Sequence, residues 1–380
     1  MTDFDRQAAR CVIVGITGTS PTAAELELVK RGVGGVILFA RNVKEPAQVA
    51  DLAKQLKSAA PGPLLLCADQ EGGRVQRMRP PHWTGWPSMR RLGQLDEQGG
   101  ALGLNGTALV ERVAKAIASE LAACGVDLDF APVVDVDTNP LNPVIGDRSF
   151  SRDPKRVARL GVSFAKGLES SGIASCVKHF PGHGDTSQDS HVTLPRLAHD
   201  KRRLWEVELV PFVAAARAGL ASVMTAHVRF EALDRLPATL SPMSLELLRK
   251  DVEFKNCCIS DDLEMKAISQ TWGVPDAAEL AIAAGCDAVL VCHTLREQHD
   301  AIDAIARGAR AGSLPRDRLA EAAARVEILE KFAKPASAID AAAAPAACSS
   351  EENRRFAAQL AEASALAQTQ VRPDPTERRA

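Results

Sequence analysis

With 380 residues, 46% of them hydrophobic and 25% charged, the chain has the make-up of a globular protein with a large core, which excludes disorder as its main state. Its 46 Lys and Arg against 48 Asp and Glu leave a formal charge of −2, so no surplus of positive charge is available to neutralise a phosphate backbone, and no nucleic-acid partner is expected. No Tyr and only four Trp remove a tyrosine nucleophile and leave few aromatic platforms for a polymer, which favours a small-molecule substrate.

The opening MTDFDRQAAR mixes both charge signs. The apolar run after it, CVIVGI, is much shorter than a signal h-region or a membrane span, so a cytoplasmic protein with no membrane partner is expected. Cysteine usage agrees: the nine Cys are an odd number, and most lie in short apolar runs where a thiol behaves as a small hydrophobe. No CxxC pair or Cys/His spacing of a structural zinc site occurs.

Short β-branched runs at 11–15, 36–39, 64–68, 128–132, 173–177, 222–225, 257–260 and 288–291 make eight candidate strands. Helical periodicity fills most of the gaps, at 47–59, 108–124, 155–171, 204–217 and 276–284. Near-continuous apolar strands separated by helices predict a parallel sheet covered on both sides, and eight such units predict an α/β fold, a single (β/α)8 TIM-type barrel spanning 1–333. Polar residues cluster where the strands end: Asp69, Asp135 and Asp137, Lys178 and His179, His227, Asp261 and Asp262, and His293. In a barrel all of those ends face one mouth, whereas an open sheet needs ligand groups only at its switch point. The connections 135–153 and 181–197 are long, as functional loops commonly are. Beyond the barrel, 334–350 is rich in small residues and reads as a linker. Ser349 with Glu352 forms a capping-box pattern before a terminal helix, and 351–380 is expected to be that helix followed by a disordered tail, VRPDPTERRA.

The densest chemistry is KHFPGHGDTSQDSHVTLP, 178–195, with three of the eight His, Asp185, Asp189 and a Lys. In an extended strand Lys178 and His179 would point to opposite faces; at a frayed strand end both can address a ligand. Asp189 and His191 flank one residue, so in an extended loop a carboxylate can orient an imidazole for proton transfer near neutral pH; the plain alternative is a solvated Asp and a structural His. His183 reads as a loop brace or a ligand contact. In CCISDDLEMKA one of Asp261 and Asp262 should look into the mouth as a possible nucleophile while the other pairs with a neighbouring loop or caps the next helix. LLLCADQEGGRVQR places Asp69, Arg74 and Arg77 after the third strand, where Asp and Arg can fork hydrogen bonds to sugar hydroxyls or carboxylates. Neither GxGxxG nor a Walker motif is present, so no nucleotide cofactor is expected. IGDRSFSRDP offers Asp147 and Arg148 in the long loop, for a site or for a structural pair.

DQEGGRVQR, GDRSF, KHFPGHGDTSQDSH and ISDDLEM, in this order and spacing, resemble glycoside hydrolase family 3 and within it the NagZ-like β-N-acetylglucosaminidase branch, over roughly 10–330. The resemblance implies a retaining exo-glycosidase that releases terminal N-acetylglucosamine through a covalent intermediate, needing no metal or organic cofactor. It makes Asp261 the nucleophile, His191 the general acid and base, and Asp189 its orienting partner. Asp69, Arg77, Arg148, Lys178 and His179 would hold the sugar, and Met224 and His227 would line the pocket or, for His227, pack in the core. The branch is implicated in recycling cell-wall fragments, which implies an anhydro-muropeptide substrate. Two rival readings use the same residues. One is a metal-dependent barrel hydrolase with His179, His183, Asp185, Asp189 and His191 as ligands; the other is a non-catalytic sugar-binding protein.

Overall fold

The computed structural model describes residues 2–188, 193–334 and 339–370. Eight strands close a parallel barrel: β1 (Val12–Gly15), β2 (Gly35–Leu38), β3 (Leu65–Ala68), β4 (Leu128–Asp129), β5 (Ala174–Phe180), β6 (Ser222–Thr225), β7 (Cys257–Asp262) and β8 (Ala288–Val291). Each pairs in parallel with the strands before and after it in sequence, and β8 closes on β1. All eight runs read from the sequence are barrel strands, because every one is buried on both faces and so carries an unbroken apolar stretch.

Alternation along the strands divides the core into two clusters. Ile13, Ile37, Leu65, Cys67, Cys176 and Ile259 point into the barrel, while their neighbours Val12, Val14, Val36, Leu66 and Val177 face the surrounding helices. The thiols of Cys67, Cys176, Cys257 and Cys292 all pack in the barrel interior, as apolar filling. The helix Arg316–Phe332 closes the barrel from below, burying Val326 and Leu329 against that interior.

The expected helices form with their ends shifted by one or two residues, and the fourth is a composite: a π-helical turn, Leu204–Glu208, leads into Val210–Ala218. Leucine and alanine periodicity cannot distinguish that turn from an α-helical one. In the expected linker, 344–347 forms a short helix, and Cys348 packs with its Sγ 3.6 Å from that of Cys124. The terminal helix Glu351–Gln370 starts one residue later than the capping-box pattern indicates: Ser350 Oγ, not Ser349, accepts the Asn353 N–H at 3.2 Å. Ser349 instead donates its N–H to the buried carboxylate of Glu120 at 3.0 Å, which ties this segment to the barrel. Phe356 then stacks edge-on to Trp86 at 6.2 Å and lies under the Arg112 guanidinium at 4.2 Å. The tail 371–380 lies outside the described residues.

Asp287, just before β8 and fully buried, is the electrostatic fastening of the barrel bottom. It meets Arg249 and Arg318 at 2.5 Å and Arg325 at 3.2 Å, and accepts the Cys258 N–H at 2.8 Å. Removing it leaves the Arg249 guanidinium in low-dielectric surroundings without an ion-pair partner among the described residues, and leaves Arg318 and Arg325 to share Glu321. Asp287→Ala is expected to cost roughly 3–5 kcal/mol of stability, read as a lowered midpoint in thermal and urea unfolding.

Candidate active site

The C-terminal ends of the strands open on a cavity of about 430 Å³ lined by Asp69, Arg77, Arg148, Lys178, His179 and Asp261 among others. Six of the eight site residues expected from the sequence therefore share one wall system. The other two, Asp189 and His191, lie outside the described residues.

Lys178 is the hub. Its ammonium, on a side chain 3% exposed, is held by Asp69 Oδ1 at 2.7 Å and Glu71 Oε1 at 2.8 Å. Arg77 donates to the other oxygen of Asp69 at 3.0 Å, and Arg148 forms a two-pronged bond to Glu71, 2.8 Å on each prong. Burial pushes the Lys178 ammonium down, but the two carboxylates more than offset this and hold it above its ordinary value. Conversely, burial raises Asp69, while Lys178 and Arg77 bring it well below the carboxylate range. For Glu71, too, burial acts upward, and Arg148 and Lys178 outweigh it to leave the group at about 2.

The sequence reading missed Glu71. Its signal was there: in an extended strand residues two apart share a face, and Glu71 follows Asp69 by two, in the short strand Gln70–Gly72. Among the described residues Asp147 and Arg148 do not pair with each other. Arg74 turns away to Asp147 at 2.8 Å, both half exposed, so Asp147 braces the long loop while Arg148 enters the site.

Lys178 and His179 both line the cavity although they are consecutive. The strand does not fray there, since β5 runs on to Phe180. Its register against β6 shifts between Lys178 and Phe180, and the peptide joining Lys178 to His179 is cis. His179 Nδ1 faces Asp135 Oδ2 at 2.7 Å, and the other oxygen of Asp135 accepts the backbone N–H of His179 at 3.2 Å and of His183 at 2.6 Å. Asp135 is thus a second site residue whose role the sequence did not single out; it sat in a run of acidic and apolar residues with nothing to mark its partner. Burial raises its carboxyl, but His179 and His183 hold it below the ordinary value.

His183 is the loop brace foreseen as one of its two roles. It lines the cavity, and its Nδ1 lies 2.8 Å from Thr186 Oγ1. Burial first, then the charge of His179, lowers its imidazole to about 4, so it is neutral at neutral pH. Gly184 lies so close to the chain of the other long loop that a Cβ there would collide with the Val136 carbonyl. Asp185 is engaged by Thr138 Oγ1 and His199 Nε2, each at 2.7 Å.

The two carboxylates ending β7 are separated by their surroundings. Asp262 is 8% exposed; its carboxylate meets His293 Nε2 at 3.2 Å and accepts the Glu264 N–H at 3.2 Å. Asp261 accepts only the adjacent Asp262 N–H, at 2.8 Å, which leaves Oδ2 without a hydrogen-bond partner among the described residues. Burial pushes the Asp261 carboxyl up, but His227, His179, the Asp262 N–H and Lys178 together keep it below its usual value, hence ionised. His227 does not line the cavity. It is fully buried, with Nδ1 2.8 Å from Thr239 Oγ1 and Nε2 donating to the Asp262 carbonyl at 2.9 Å. Met224 does line it. Asp129 lies behind the wall; burial raises its carboxyl to about 8, so it is protonated at neutral pH.

This arrangement can grip a polyol and present one uncommitted, ionised carboxylate to it. A sequence model of the Glycosyl hydrolase family 3 N terminal domain matches residues 11–329. The chain belongs to glycosyl hydrolase family 3. It is a glycoside hydrolase. A protein of Neisseria meningitidis serogroup C named Beta-hexosaminidase is 43% identical over 267 residues, 70% of this chain and 73% of that protein. One of the same name from Stenotrophomonas maltophilia is 42% identical over 290 residues, 74% of this chain and 83% of that one. Among solved structures, a family 3 β-N-acetylglucosaminidase from Paenibacillus superposes with a TM-score of 0.87 at 35% identity, over 96% of this chain and 69% of that one. NagZ from Neisseria gonorrhoeae in complex with N-trifluoroacetyl-D-glucosamine gives 0.76 at 35% identity, over 93% and 98%.

The Glu71 pairs carry a pH signature. Its carboxyl sits at about 2 in the folded chain against an ordinary 4.5, so the stabilisation is complete above about pH 5 and is lost as the pH falls toward 2. Glu71→Gln is expected to lose roughly 3 kcal/mol at neutral pH. In urea unfolding at stepped pH, the gap to the native chain should be constant from about pH 6 to 8 and narrow from about pH 5 downward.

Proposed function

We propose that the protein is a retaining exo-β-N-acetylglucosaminidase that forms a covalent glycosyl intermediate on Asp261. The observation that carries this reading is the contrast at the end of β7: Asp262 is tied to His293 and to the Glu264 N–H, while Asp261 is ionised with one oxygen open to the cavity. A carboxylate free of side-chain partners is the better nucleophile. The cavity, about 430 Å³, suits one terminal sugar, and Asp69, Arg77, Arg148, Lys178 and His179 provide the hydroxyl and acetamido contacts. The names of the relatives from Neisseria meningitidis and Stenotrophomonas maltophilia support the hexosaminidase class.

In the first step Asp261 attacks the anomeric carbon as the aglycone oxygen leaves. His191, oriented by Asp189, donates its proton to that oxygen and then takes one from the water that releases the sugar. An imidazole in place of the usual second carboxylate reduces charge repulsion with the bound intermediate. Likeness to the branch that acts on cell-wall fragments supports an N-acetylglucosaminyl anhydro-muropeptide as the natural substrate, in peptidoglycan recycling. The buried thiols support a reducing, cytoplasmic setting.

One observation favours a second assignment of the acid. Asp135 and His179, 2.7 Å apart, are themselves a carboxylate–imidazole pair at the cavity wall. Leaving-group dependence separates the two. On a series of aryl β-N-acetylglucosaminides, His191→Ala should slow the poor leaving groups most and leave activated ones nearly unchanged, whereas His179→Ala should slow all alike. The reverse pattern would move the acid role to His179. Asp261→Ala should lower turnover by about three orders of magnitude or more. A fluorinated sugar should label Asp261, read by peptide mass mapping, and the first-formed sugar should keep its β configuration by NMR. A label on Asp262, or inversion, would overturn the mechanism.

A further inference from the structure

Among the four Lys and Arg that line the cavity, three are spent on carboxylates within the site: Arg77, Arg148 and Lys178. The fourth, Lys266, is different. It is exposed at the cavity rim, and it has no hydrogen-bond or ion-pair partner among the described residues. The nearby carboxylates do not serve it, since Glu264 accepts the N–H groups of His293 and Thr294 and Asp262 pairs with His293.

A second cation borders the same sector. Arg41 follows β2 and stands 4.5 Å over the ring of Phe39, a cavity residue. Its donors go to the carbonyls of Ile16 at 2.9 Å and Cys292 at 2.7 Å and to the His293 ring at 3.2 Å, and among the described residues it meets no carboxylate. Arg41, His293 and Lys266 follow β2, β8 and β7, and the barrel order runs β2–β1–β8–β7, so they occupy one contiguous arc of the mouth. Elsewhere on the mouth Arg74 is neutralised by Asp147. A charge left unpaired at a rim steers and selects ligands of opposite sign at little cost in stability.

We propose that Lys266, flanked by Arg41, is a specificity-determining residue that reads an anionic group on the aglycone, so that glycosides whose leaving group carries a carboxylate are preferred. This rests on the N-acetylglucosaminidase reading above. The sugar ring occupies the deep part of the cavity, where the cations are all paired, and the aglycone passes the rim, where they are not.

The test compares 4-carboxyphenyl and 4-carbamoylphenyl β-N-acetylglucosaminides, which match in shape and differ in charge, on the native chain, Lys266→Gln and Lys266→Glu. The readout is the ratio of the two kcat/KM values, which cancels effects common to both glycosides. Lys266→Gln is expected to lower the anionic-to-neutral ratio about threefold to fivefold, in line with a rim-exposed ion pair, and Lys266→Glu to lower it further. About 0.5 M salt should bring the native ratio toward that of Lys266→Gln. A ratio unchanged in both variants, with the native enzyme active, overturns this inference alone. A native enzyme that turns over neither glycoside overturns the N-acetylglucosaminidase reading and this inference with it.

Discussion

A buried ammonium with two carboxylates fixes the rest of the site. Lys178 leaves water at the end of β5, and burial of that charge would be costly without Asp69 and Glu71 at 2.7 and 2.8 Å. Those two carboxylates are in turn too much negative charge for the interior, and Arg77 and Arg148 balance them. The chain of pairs reaches from β3 to β5 and out to the 135–153 loop, so charge adds to the burial of Val136, Ile145 and Phe150 in drawing the loop that carries Arg148 to the mouth. Four carboxyls feel Lys178: Asp69, Glu71 and Asp261, all lowered, and Asp129, which burial keeps protonated. Among these groups three cations face three ionised carboxylates. Groups held in this way reorganise little when a sugar arrives, which is the condition for electrostatic help to a developing positive charge.

The same field separates two chemically identical neighbours. Asp261 and Asp262 are adjacent in sequence and end the same strand, yet Asp262 is committed to His293 and a backbone N–H while Asp261 is not. His227 contributes from behind. By donating to the Asp262 carbonyl it holds the backbone at the strand end, and its position beside Asp261 favours the carboxylate form. A buried histidine that does not line the cavity can therefore still favour the ionised form of a carboxyl that does.

The fold was legible because a parallel barrel writes itself as eight apolar runs at helical intervals, and each run proved to be a strand. The members of the site that end strands, Asp69, Lys178, His179 and Asp261, were legible for the same reason: a polar residue at the end of an apolar run has to face the mouth. What the sequence withheld was pairing. Nothing local to Arg148 says that its partner is Glu71, 77 residues before it, instead of the adjacent Asp147. Nothing local to Asp135 points to His179 across β4 and β5. Long-range ion pairs depend on which strand ends the barrel sets side by side, and that appears only once the strands have been closed. The position of a helix cap, Ser350 in place of Ser349, failed for a smaller cause: Glu120 competes for the Ser349 N–H.

The site holds a carboxylate–histidine pair, Asp135 at the start of the 135–153 loop with the strand-borne His179, and the sequence places another, Asp189 with His191, in the 181–197 segment. In the proposed mechanism the two pairs do different work. His179 is 5% exposed, on a strand, at the enclosed part of the cavity. An exo-acting glycosidase takes its terminal sugar into the enclosed part and leaves the aglycone toward solvent, so the oxygen that must be protonated lies on the side of the opening. In that reading a histidine fixed at the enclosed wall meets ring hydroxyls. His183, at about 4, lacks a proton to give at neutral pH, and Lys178, held above its ordinary value between two carboxylates, keeps its own. The proposal therefore takes the acid from the segment after β5, whose beginning is anchored by Asp135, Thr186 and Gly184. In the proposed mechanism strand-borne residues bind the sugar and a loop-borne residue transfers the proton, a division set by how far each has to reach.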